Sequence, residues 1–143
     1  MREGIYFFKL QIKNLSASGE LTVNGPGLFD LRFSSPETLQ AISFQVDRES
    51  AIVQFGDHKD VTAVSELPDA SALKLLLYSL NEFLYKTHAF IIEADGYVSA
   101  QAQILQQTVR AVFSTDGRLL QINCDSANAS ICFKAPESAY SVQ

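Results

Sequence analysis

Histidine and cysteine each occur only twice in this chain of 143 residues, and nowhere do basic residues form a run. Each scarcity removes a class of function. His58 lies in Asp57-His58-Lys59-Asp60, a solvated turn, and His88 reads as a helix C-terminal cap or a surface residue. Neither stands at metal-ligand spacing from a second His or Cys, so no transition-metal site is expected. The acids Asp47, Glu49, Asp57 and Asp60 gather near adjacent turns without the calcium-loop pattern, and turn solvation accounts for them. With a net charge of −5 and no basic patch, binding to nucleic acid through a charged face is not expected. There is no Gly-x-Ser-x-Gly elbow. Asn24-Gly25-Pro26-Gly27 joins two strands and lacks the helix and lysine of a phosphate loop. Cys124 and Cys132 lie outside any helix-start or Cys-x-x-Cys context that would activate a thiol. The expectation is therefore a protein without cofactor, metal or catalytic residues, and not an enzyme. A residual enzyme reading would have to use Asp57, His58 or Asp60.

The N-terminal residues hold no signal-peptide core and no lipobox cysteine, since Ile5–Phe8 is far too short for an apolar signal region. The expected location is extracytoplasmic, in the cell envelope, if a leader or lipid anchor has been removed, and cytoplasmic otherwise. The length fits one domain over residues 1–143, with 136–143 as a frayed tail. A domain of this size buries roughly 68–70% of its unfolded surface and needs no metal or disulfide to fold.

Against these absences stands one strong helix signal, Ala70–Lys86. Leu73, Leu76, Leu77, Leu80 and Leu84, with Phe83 beside them, form one broad apolar face, and Lys74, Asn81, Glu82 and Lys86 fall off it. Asp69 is placed to cap its start and Lys86 suits its negative end. Each buried Leu or Phe is worth ~1.5–3 kcal/mol, so this face requires a partner surface.

The rest of the chain reads as strands. Ile5–Leu15 puts Tyr6, Phe8, Leu10 and Ile12 on one face, and Ser16-Ala17 turns it into Ser18–Asn24. Leu28–Phe33 points Phe29, Leu31 and Phe33 inward. Ser35-Pro36 opens a short helical turn. Around Arg48-Glu49 the pairs Val46–Ala51, Phe44–Val53 and Ile42–Phe55 are all apolar on one face, so that register is self-consistent. Val61–Val64 is a weak strand and Ala89–Ala94 a short apolar run. Asp116-Gly117, as a two-residue type I′ loop, sets Phe113 opposite Leu120, Ala111 opposite Ile122 and Val109 opposite Cys124. In the closing hairpin, placing Cys124 opposite Phe133 keeps the faces consistent and sends the two thiols to opposite sides; a bulge in the turn would allow a disulfide. Strands, one helix, then strands define an α+β domain: a curved antiparallel sheet, a half-barrel, with the helix packed on its concave face.

Phe7, Ile52, Leu75, Tyr78, Tyr85, Ile91 and Leu119 fall off the inward alternation. Two readings of this apolar excess stand open: a sheet covered on both sides, or a hydrophobic groove between helix and sheet. In the second, Phe29, Phe33, Phe44, Leu73, Leu76, Leu77 and Leu80 are the candidate ligand-binding residues.

The segment Gly27–Leu39, ending in Ser35-Pro36-Glu37-Thr38-Leu39 and followed by Ile42-Ser43-Phe44, resembles a pattern in small secreted lipoproteins of Gram-positive bacteria. Leu67-Pro68 before the leucine-rich helix and the hairpin Asp116–Ile122 are similar too. That group resembles the LolA/LolB lipoprotein-carrier fold. The resemblance implies an extracytoplasmic domain that holds a lipid-like group or an acylated protein, with no catalytic residues to carry over. The alternative is an interaction module of an envelope assembly, acting through a sheet edge or the aromatic strand Tyr6–Ile12.

Overall fold

The computed structural model describes residues 3–67, 71–86 and 88–134. Eleven strands form one sheet in the order β6-β5-β4-β3-β2-β1-β11-β10-β9-β8-β7. In chain order they are β1 (Gly4–Ile12), β2 (Leu15–Gly25), β3 (Leu28–Ser35), β4 (Ile42–Asp47), β5 (Ser50–Phe55), β6 (His58–Ala63), β7 (Ile91–Ile92), β8 (Val98–Ile104), β9 (Gln107–Phe113), β10 (Leu119–Cys124) and β11 (Ala129–Lys134). Every pairing is antiparallel. The sheet does not close, so β6 and β7 remain as its edges. Helix α1 (Ala72–Tyr85) packs on its concave face, and the fold is an α+β half-barrel. No helix among the described residues is long and apolar enough to cross a membrane.

The sheet is built from hairpins, and only the join of β1 to β11 connects its two halves. That join removes one route to the interaction-module reading. β1 is hydrogen-bonded to β2 on one side and to β11 on the other, so the aromatic strand Tyr6–Ile12 has no free backbone edge for a partner.

The turns refine the register that alternation predicts. Ile12 pairs with Leu15, so the first hairpin turns at Lys13-Asn14, with Lys13 at φ 51, and not at Ser16-Ala17. The Asp116-Gly117 loop holds three residues. The Ser114 and Arg118 backbones pair, the Gly117 amide donates back to the Ser114 carbonyl, and Gly117 sits at φ 87. Phe113 therefore faces Leu119, not Leu120. A bulge between Leu119 and Gln121 then restores Ile122 opposite Ala111. Two one-residue offsets cancel, and Leu119, which simple alternation sends outward, is buried. The Ile42–Phe55, Phe44–Val53 and Val46–Ala51 pairs stand as the alternation requires. The last hairpin pairs Cys124 with Ala129, not with Phe133, and Cys132 with Gln121, because its turn is shorter than the expected register requires. Cys124 is buried, Cys132 is exposed, and both are free thiols.

Ser71 caps α1, its hydroxyl accepting from the Lys74 amide at 3.4 Å. Asp69, the cap read from the sequence, lies outside the described residues, as do Pro68 and the proposed tail 136–143. His88 closes the other end: its ring stands 2.9 Å from the Glu82 carbonyl and 5.1 Å from the Phe83 ring. The buried face is turned from the predicted one toward Leu75 and Ser79, while Phe83 is buried as expected and Leu73 and Leu84 are only partly covered. Lys74, expected in solvent, is buried. Its ammonium donates to the Ser65 carbonyl at 3.1 Å and lies 5.7 Å from the centre of the Tyr78 ring.

Candidate functional site

The residues proposed to bind a ligand divide into two groups. Phe29, Leu76, Leu77 and Leu80 belong to the buried core, together with Leu21, Val23 and Ala51. Phe33, Phe44 and Leu73 pack against that core but remain partly open to solvent. The division follows the helix. Its backbone comes nearest to β8 and β10, and its Asn81 side chain accepts from the Gly27 amide at 2.9 Å at the β2–β3 turn. The inner face of β3, β4 and β5 continues past this cover.

On that uncovered part, register places Phe33, Ile42 and Phe55 in one row and Leu31, Phe44 and Val53 in the next. Phe8, Phe33 and Phe44 meet edge to face, with ring centres 5.8 Å and 6.1 Å apart. The first contact depends on Gly19. It stands between Phe8 on β1 and Phe33 on β3, so the two rings close over the missing side chain. Phe55 ends the row 55% exposed. Beyond it, β6 sets His58 opposite Phe55 and Asp60 opposite Val53, a polar rim to an apolar strip. From β3 to β5 the strip crosses two strand spacings, about 10 Å at ~4.8 Å each.

Toward the helix the strip ends on the buried Phe8; beyond it Leu10, with Leu75, Leu76, Ile122 and Ile131, lines a cavity of about 30 Å³. Ser79 also lines it. Its hydroxyl is fully buried and has no hydrogen-bond partner among the described residues. The Cys124 thiol at the same wall is already engaged by Gln107 Oε1 at 3.4 Å. Helical spacing alone could have found Ser79, since it stands three residues after Leu76 and four before Phe83; its neighbours' hydrophobicity hid it.

The other candidates form no site of their own. His58 and Asp60 are exposed on the edge strand and Asp57 sits in the preceding turn. Among the described residues no three His, Cys, Asp or Glu side chains come together as metal ligands. Glu93 forms a separate outer-face cluster, its carboxylate accepting from Arg110 at 2.9 Å and from Ser99 at 3.1 Å. At the end of α1, burial, then Glu3 and Tyr6, push the Tyr85 phenol above its ordinary value.

No protein-family model and no curated protein matches this chain. Among solved structures it is similar to a LolA superfamily protein from Nitrosomonas europaea, at 8% identity and a TM-score of 0.45, covering 92% of this chain and 82% of that one. At this level the likeness carries no argument about ligand or role. The half-barrel stands on its own strand order and register.

Proposed function

We propose that this chain is a non-enzymatic binding domain that holds a hydrophobic ligand, lipid-like or the acyl group of a modified protein, on its concave face. The observation that carries the reading is the half-covered strip Phe33, Phe44 and Phe55, an apolar surface lying inside a curved sheet and bounded by the polar His58–Asp60 edge. Phe33, Phe44 and Leu73 offer the contact surface. Phe29, Leu76, Leu77 and Leu80 form the floor behind it. A cell-envelope location agrees with such a ligand and with the sequence resemblance. Native mass spectrometry of protein purified without delipidation tests the reading: a lipid-sized adduct that an apolar dye displaces supports it. A clean apo mass and no dye binding count against it.

One observation favours a second reading, an envelope interaction module acting through a sheet edge. Ile91 and Ile92 on the edge strand β7 are exposed, with Phe90 beside them. Concentration-dependent self-association in the ultracentrifuge, lost in Ile92→Lys with the fold intact, would favour it.

A further inference from the structure

The Ser79 hydroxyl is the one polar group in the cavity under α1 left without a partner among the described residues. A buried, unpaired hydroxyl is destabilising, and alanine at this helical position would remove that cost. The cavity is a poor site for a water molecule, which needs two to four polar partners. Its other wall residues are apolar, apart from Cys124, which is already hydrogen-bonded, and Ser130, whose register partners Gln11 and Asn123 place its side chain on the outer face.

We infer that Ser79 is a ligand-binding residue that donates a hydrogen bond to an uncharged carbonyl oxygen, so that the occupant is an unbranched chain bearing an ester or amide linkage. This inference rests on the concave-face reading above. Size supports it: about 30 Å³ is room for a small polar group beside Ser79 but not for a whole ligand. The chain attached to that group leaves past Leu10 and Ile12, half-buried residues of the cavity wall. Charge supports it too. Among the described residues no acidic or basic side chain lines the cavity, so a free carboxylate would be buried there without compensation.

The test titrates the full chain with methyl hexanoate carrying ¹³C at its carbonyl, with hexanoate as the charged comparison. In the unmodified protein the carbonyl resonance moves downfield on binding, as it does on accepting a hydrogen bond, and hexanoate binds at least tenfold more weakly. Ser79→Ala raises the melting temperature, abolishes the downfield shift and weakens the ester five- to tenfold. Ser79→Thr, which keeps the hydroxyl, keeps the shift. If the ester binds and Ser79→Ala leaves both shift and affinity unchanged, Ser79 is no ligand contact, while the concave-face reading survives. If Ser79→Ala lowers the melting temperature, the hydroxyl has a partner in the free protein and the inference falls. If neither ester nor hexanoate binds, both readings fall together.

Discussion

Gly19 shows how a single missing side chain organises the inner face. A Cβ at this position would overlap the Arg32 carbonyl, because the β2–β3 register shifts there and brings the backbones together. Gly19→Ala should therefore cost several kcal/mol and separate the Phe8 and Phe33 rings; urea unfolding and aromatic ring chemical shifts read the two effects. Ser79 makes the opposite prediction. Ser79→Ala should stabilise the free protein by about 1 kcal/mol by removing an unpaired buried hydroxyl, seen as a higher urea midpoint with unchanged slope. A protein that keeps a destabilising serine on the buried face of its main helix has set stability aside at that point. Neither residue stands out in the sequence. Glycine in a strand and serine in a helix are both ordinary there, and only the third dimension brings Arg32 to one and a cavity to the other.

At the scale of elements, what was legible depended on whether neighbouring residues alone decide the outcome. The Ile42–Phe55 hairpin is local, and its apolar pairs fix it, so sequence and structure agree in register. The Phe113–Leu119 hairpin is local too, yet a three-residue loop with a compensating bulge gives the same apolar facing downstream as a two-residue loop. Alternation cannot separate these solutions near the turn, and Leu119 was misplaced for that reason. The helix was legible in extent but not in rotation. Leu75 and Phe83 compete with Leu73 and Leu84 for the sheet, and the anchors that settle the contest are long-range. Asn81 reaches the Gly27 amide and Lys74 the Ser65 carbonyl. Asn81→Ala should thus cost about 1–2 kcal/mol and speed amide exchange at Gly27. In the Phe113–Leu119 hairpin, the Ser114 hydroxyl, followed by weaker contributions from backbone amides and Arg118, holds the exposed Asp116 carboxyl below its ordinary range. A lowered folded pKa means that its stabilisation is complete above the ordinary carboxylate range and is lost as pH falls through the folded value. Asp116→Asn should make the acid limb of a pH–stability curve shallower; an unchanged limb would contradict that assignment.

At the scale of the molecule, the half-barrel leaves an apolar strip that one helix cannot cover. The seven candidate ligand contacts rest on one premise, that every inward residue between helix and sheet lines a groove. The structure separates them because a 14-residue helix spans only part of an eleven-stranded sheet. Inward residues beneath it become core, and those beyond it remain open. Sequence alternation tells inside from outside but not covered from uncovered. Phe55→Asp should consequently leave the fold intact, since the residue is mostly exposed, and weaken apolar-dye binding severalfold. Phe29→Asp, within the buried core, should prevent folding.

The most direct test of the concave-face account is methyl NMR of the isoleucine-, leucine- and valine-labelled protein with a spin-labelled fatty-acid ester. The account predicts strong broadening of Leu10, Ile42 and Val53, with Ile5 and Val61 on the outer face left sharp. Broadening confined to Ile5 and Val61, or to Ile91 and Ile92 at the β7 edge, would contradict it and move the binding surface elsewhere.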